Sequence, residues 1–267
     1  MKKYLSFFRI RFNTGLQYRA AAAAGICTQF FWGLMEILMF RAFYQADPTS
    51  FPMGFSQLSS YIWLQQAFLA LFMSWFFDNE IFASITSGNI SYELARPLDL
   101  YSMWFIKDAA IRVSKAVLRC MPILFIAFLL PSPYGLSLPA SLSGFLLFIL
   151  TMILALCLVV SFSMLIYITT FFTLSPQGIR IVAVSLTELL SGALIPLPFF
   201  PDTIRKVLNW TPFASMQNLP FRIYSGNIAG MEMVQSIGLQ FFWLLALGLV
   251  GKLWMDYALK KVIVQGG

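Results

Sequence analysis

Between Arg119 and Arg180 the chain runs for sixty residues without a charged side chain, interrupted only by the turn-rich patch Pro131-Ser-Pro-Tyr-Gly135 and by Pro139. A hydrocarbon core about 30 Å thick is crossed by roughly 20 apolar residues in helix, so this run holds two spans joined by a tight hairpin. Composition points the same way. With 59% hydrophobic and 11% charged residues, too little charge remains to cover a water-facing surface. The solvent of this chain is lipid.

Four further apolar stretches reach spanning length, at 20–44, 56–77, 181–200 and 234–254. The charge-free run supplies two more, at 116–130 and 142–172. The expected architecture is therefore an all-α integral membrane protein with six transmembrane helices, forming one domain over 1–267. The fourth span exceeds what a bilayer requires, which predicts a tilt or a projection into the cytosol. No linker, low-complexity tract or internal repeat is visible.

Direction follows from Lys and Arg, which are retained in short cytoplasmic loops. Fourteen of the eighteen fall in the N-terminal arm, in the stretch between spans two and three, at Arg180 and at the C-terminal end. Arg41, Arg205, Lys206 and Arg222 are the four on the other side. Both termini are expected in the cytoplasm and the protein multi-pass in a plasma membrane, with the bacterial inner membrane favoured. The net charge of +7 is then a consequence of topology, and no nucleic-acid partner is expected. Residues 1–19 place Lys2, Ser6, Arg9, Asn13 and Gln17 on one helical face and Leu5, Phe8, Phe12 and Leu16 on another, the pattern of an amphipathic helix lying in the headgroup plane on membrane lipid. Ala20–Ala24 precede the apolar segment rather than follow it, so no signal-peptide cleavage is expected.

Catalytic chemistry is poorly supplied. Histidine is absent, which removes the commonest general base and transition-metal ligand. No Gly-x-x-x-x-Gly-Lys-Ser/Thr loop is present to cradle phosphate. Cys27, Cys120 and Cys157 are distant and odd in number, and read as inert thiols. We expect no catalytic residue, no metal and no cofactor on this chain. Glu36 and Glu188 fall inside apolar segments, where a charge costs roughly 2.5–3.5 kcal/mol on insertion scales, so each should face protein or a wet cavity. They are candidates for a translocation path, or else carboxyls hydrogen-bonded across helices.

Two segments carry more. After the second span, 85–99 combines Gly88, which permits a sharp turn, with Pro97, which forces Arg96 toward extended backbone. Between them Ile90 and Leu94 stand at i,i+4 with Glu93 alongside, a short helix suited to docking in a groove of another protein. The same spacing suits an ordinary connector. Further on, Asp108, Arg112, Lys115 and Arg119 share a polar helical face opposite Phe105, Ala109, Val113 and Val117, which predicts that the third span begins along the membrane surface. After the fifth span, Pro196, Pro198 and Pro201 are expected to stop the helix. Asp202 should cap a short helix, and Thr211-Pro212 should start another that ends at Pro220. These outer helices, over 201–226, are expected to dip back into the leaflet as a lid or a gate.

Gly88, Glu93-Leu94 and Arg96-Pro97-Leu98 in the first segment, with Ser191-Gly192, Ile195-Pro196-Leu197, Phe200-Pro201, Pro212-Phe213, Pro220-Phe221 and Tyr224-Ser-Gly226 in the second, resemble the permease subunits of ABC type-2 exporters. The resemblance covers nearly the whole chain in span count and order. It implies a half-transporter: a second permease, identical or homologous, packs alongside, and each docks on a separate ATP-binding cassette ATPase subunit that holds ATP and Mg. ATPase coupling would fall to Ile85, Gly88, Ile90, Glu93, Leu94, Arg96, Pro97 and Leu98. An outer gate would fall to Pro196, Pro198, Phe200, Pro201, Pro212, Phe213, Pro220 and Phe221. Export would pass between the first and fifth spans of two chains. The alternatives are an ion-gradient-driven secondary transporter using Glu36 and Glu188, and a membrane assembly protein that moves nothing.

Overall fold

The computed structural model describes residues 2–139, 141–173 and 175–261. Among these, regular structure is helical: α1 (Lys2–Gly15), α2 (Arg19–Ala46), α3 (Phe55–Phe72), α4 (Asn79–Thr86), α5 (Ile90–Leu94), α6 (Leu100–Leu129), α7 (Leu142–Thr173), α8 (Pro176–Leu190), α9 (Asp202–Asn209), α10 (Asn218–Tyr224) and α11 (Gly230–Leu259). Three helices, α2, α7 and α11, are long and apolar enough to cross a membrane. Met1 and residues 262–267, the two ends of the expected 1–267 domain, lie outside the described residues.

The helix at the centre is α3, enclosed by α2, α6, α7 and α10. It is buried on nearly every side, yet it carries Ser59, Ser60, Gln65 and Gln66. Each of these four side chains donates a hydrogen bond. The serine hydroxyls donate to the carbonyls of Phe55 and Ser56 one turn back, Gln65 Nε2 donates to the Ala193 carbonyl, and Gln66 Nε2 donates to Glu36 at 3.4 Å. Between helices in lipid there is little hydrophobic drive, so close packing and such polar contacts set which faces meet. At the α2–α3 contact, a Cβ on Gly33 would stand 2.9 Å from the Gln66 side chain and 3.2 Å from Trp63. At the α1–α6 contact, a Cβ on Gly15 would collide with the Ser114 side chain, so glycine lets the N-terminal helix lie close along α6.

Several elements differ from the sequence expectation. The second helix ends at Phe72 rather than 77, and residues 73–78 form an irregular passage to α4. The third does not start near 116; α6 is one 30-residue helix from Leu100, with Pro122 inside it. Its polar face does not lie toward water, because Asp108 and Arg112 are buried within the bundle. The fifth helix runs from Pro176 to Leu190, and the prolines do not stop it. Gly192, at φ 79°, ends it four residues before Pro196 by taking the left-handed conformation that follows a helix terminus, with Ser191 N–H bonded back to Thr187.

Past that point, Pro201 occupies the cap position of α9 and Asp202 is its first helical residue, paired with Arg205. Residues 211–217 wind as successive turns, with Ser215 N–H on the Pro212 carbonyl and Met216 N–H on the Phe213 carbonyl. Pro220 therefore does not close a helix. It sits third in α10, where its missing N–H is one of those no helical carbonyl could reach.

Candidate functional site

Two places interrupt the bundle's regular backbone, and the residues singled out from the sequence gather around them. At the first, α3 gives way to residues 73–78, then α4 and α5. The carbonyls freed by the end of α3 converge on one guanidinium. Arg112 Nη1 donates to Leu71 at 3.2 Å and Met73 at 2.9 Å, and Nη2 donates to Phe76 at 3.1 Å and to Ser163 Oγ at 3.2 Å. Its Nε donates to Asp108 Oδ2 at 2.8 Å, and both side chains have 0% exposure. Beside it, Lys107 Nζ bridges Asp78 at 2.7 Å and Glu80 at 2.6 Å, while the Tyr167 hydroxyl accepts from Asp78 N–H at 2.7 Å. The Lys107 ammonium holds the Glu80 carboxyl below the ordinary range.

That anchored passage carries α4 and α5 outward. Asp78 caps α4 by accepting from Glu80 N–H, and Ile81, Phe82 and Ile85 bury against α7 and the start of α6. Arg180 at the start of α8 lies 5.2 Å from the ring centroids of both Phe77 and Phe82. Gly88, at φ 75° with open space around it, turns the chain from α4 into α5. Within the expected coupling set, Ile85 and Ile90 are buried anchors. Glu93 faces inward as well, where its Oε2 accepts from Trp104 Nε1 at 2.5 Å. Leu94 at 41% exposure, with Gly88, Arg96 and Pro97, is left on the outside, while Leu98 is half-buried. Beside Leu94 stands Tyr92, 75% exposed, which sequence reasoning missed because an aromatic at one position carries no periodic signal.

At the second interruption, residues 191–217 pass between α8 and α10, held by neutral donors from α3 and α11 and by Arg205 within the segment, whose Nη1 donates to the Pro198 carbonyl at 3.2 Å. The Tyr61 hydroxyl lies 3.4 Å from the Gly192 carbonyl and 3.3 Å from Asn218 Oδ1, and Gln65 reaches the Ala193 carbonyl. From α11, Gln240 Nε2 donates to Ser215 at 2.8 Å and to Thr151 at 3.1 Å, and Trp243 Nε1 donates to Trp210 at 3.0 Å. Of the expected gate residues, Phe221 is fully buried between Tyr61 and Phe72, and Pro198 and Pro220 are buried too. Phe213 stacks edge-on against Phe162. Phe199, not singled out from the sequence, packs on Phe40 and Phe51, while Phe200 and Pro212 are half-buried, Pro196 is buried and Pro201 is exposed.

The two intramembrane carboxylates are not brought together. Glu36 faces Gln66 across the α2–α3 contact, and Glu188 accepts from Ser74 Oγ at the end of α3. Among the described residues Glu36 Oε1 has no partner.

An all-helical bundle with apolar helices of spanning length, polar groups turned inward and broken backbone held by protein donors defines an integral membrane protein. The profile described as ABC-2 family transporter protein matches residues 30–266, and the chain belongs to that family. It is a membrane permease of an ABC transporter, a transport subunit rather than the ATPase itself. No curated protein matches the chain.

Proposed function

We propose that this chain forms half of the translocation path of an ATP-driven exporter, driven through α5 by a separate ATPase subunit that carries the ATP and Mg. The observation that supports this reading most is the division of labour within residues 85–98. Ile85, Ile90 and Glu93 fasten the segment to the bundle, and Tyr92 and Leu94 project from it beyond the left-handed turn at Gly88. A projecting apolar pair on a well-anchored five-residue helix suits a groove on a partner.

In the same reading α2, α3, α6, α7, α8 and α11 are the six spans, both termini are cytoplasmic, and residues 191–226 close the outer end. At 1.5 Å per residue α3 reaches about 27 Å and α8 about 22 Å, and the irregular segments after each complete the crossing. The outward apolar faces of α2 (Phe31, Met35, Leu38) and α8 (Ile181, Leu186, Leu189) are where a second permease would pack, with cargo leaving between them. Membrane lipid covers the rest. A plasma membrane fits the charge asymmetry.

Co-expression with a candidate ATP-binding cassette ATPase subunit from the same organism provides the test. Wild type should retain the ATPase through purification and stimulate its hydrolysis. Leu94→Glu combined with Tyr92→Ala should insert normally but lose both. Normal capture by that variant overturns the role of α5, and substrate movement that persists without any ATPase, following a proton or sodium gradient, overturns the exporter.

A further inference from the structure

The C-terminal half of α1, the start of α2, the 73–78 passage and α6 enclose a cavity of about 530 Å³. Four cations line it against two carboxylates, and the carboxylates are already committed. Lys107 holds both Asp78 and Glu80, leaving Arg11, Lys115 and Arg119 facing the space with no acidic partner within 4 Å among the described residues. Lys115 Nζ sits over the face of Phe76, 3.6 Å from the ring centroid. Arg119 presses against Gly25 of α2, and its buried Nε has no hydrogen-bond partner.

The two most buried arginines elsewhere in the bundle are treated differently. Arg112 satisfies every nitrogen, and Arg222 pairs with Asn227 and Glu232. Three cations gathered around one space repel one another, and a ligand with negative charge and oxygen acceptors relieves that repulsion through charge-assisted hydrogen bonds. Lys115 and Arg119 stand one helical turn apart on α6, a spacing that lets both reach one anion. Part of the wall is apolar, formed by Ala21 and Ala22 of α2 and by Ile111 and Leu118 flanking the cations on α6.

We propose that this cavity binds a phosphate ester, its oxygens on Lys115 and Arg119 with Arg11 closing over it from α1. The apolar wall favours a phosphate borne by an anionic glycerophospholipid, whose acyl chains leave along α2 and α6, over free phosphate. Such a site lies outside the translocation path and outside α5, so it stands or falls separately from the exporter reading.

The test uses the full chain in nanodiscs of phosphatidylcholine with and without phosphatidylglycerol, followed by native mass spectrometry after release. Wild type should carry away phosphatidylglycerol, and Lys115→Gln with Arg119→Gln should weaken that retention about tenfold, whereas Arg9→Gln, on the exposed face of α1, should not. Equal retention by the double glutamine variant overturns the proposal. A headgroup photoactivatable analogue of phosphatidylglycerol, used on wild type, should label peptides containing residues 11–18 or 111–119. Labelling elsewhere alone overturns the site even if the glutamine variants do not fold. Inorganic phosphate is the second arm: if it protects those peptides from labelling at equal concentration, the lipid assignment fails and a free phosphate is the ligand.

Discussion

The two interruptions of the bundle meet the same physical problem with opposite chemistry. Each exposes backbone carbonyls where lipid can supply no donor. At residues 71–76 one permanently charged guanidinium collects three carbonyls, balanced by Asp108. At residues 192–215 four neutral side chains on two helices, Tyr61, Gln65, Gln240 and Trp243, each hold one carbonyl, and the segment's own part-exposed Arg205 holds a fifth, that of Pro198. A central buried charge cannot let go without a large penalty. Separate neutral donors can release one carbonyl at a time, at about 0.5–1.5 kcal/mol each. In the proposed function the first region serves as a mount that stays closed and the second as a gate that rearranges, and the two kinds of anchoring suit those two roles.

The sharpest way to break this comparison is Arg112→Leu. It strands Asp108 and three carbonyls, and the loss should be about 3–5 kcal/mol, seen as failure to accumulate in membranes or a collapse of the detergent melting temperature. Arg112→Lys should recover only part, since an ammonium cannot reproduce the fork. Gln240→Leu should cost less, about 1–3 kcal/mol, because two carbonyls lose a neutral donor. Hydrogen exchange should then rise in residues 211–217 and remain unchanged in 71–78. Rigid behaviour in the second region and softness in the first would reverse the assignment.

Tyr61→Phe removes long contacts while keeping the edge-on packing against Phe221, so its cost should be about 1 kcal/mol or less, read from thermal unfolding. Smallest is Glu80. Its folded carboxyl titrates below the ordinary 4.5, so its contribution is complete above that value and fades as pH falls through the lower folded one. With a side chain 75% exposed the effect should stay under about 1 kcal/mol, and Glu80→Gln should flatten the acid limb of melting temperature against pH by that amount.

What could be read from sequence was whatever depends on local pattern. The charge-free run placed α7, and the Gly88 and Pro97 breaks bracketed α5. The polar stripe of Asp108, Arg112, Lys115 and Arg119 was also visible, but amphipathic periodicity cannot distinguish water from a polar bundle interior, so its direction was misread. The partners of Arg112 left no trace because backbone carbonyls have no residue identity. Prolines drew attention away from Gly192, which ends α8, and Pro220 looked like a terminator although a first turn tolerates it. Trp104 and Tyr92 meet α5 through tertiary placement and through exposure, which single positions do not announce.

A side-chain bond joins the exposed α5 to one of the long helices of the bundle. Glu93 hooks α5 to Trp104, near the base of a helix that runs some 45 Å from Leu100 to Leu129. In the proposed coupling, a partner that tilts α5 would have to unhook that indole or drag the rod with it, so a small shift at one end of the helix would be carried to its opposite tip.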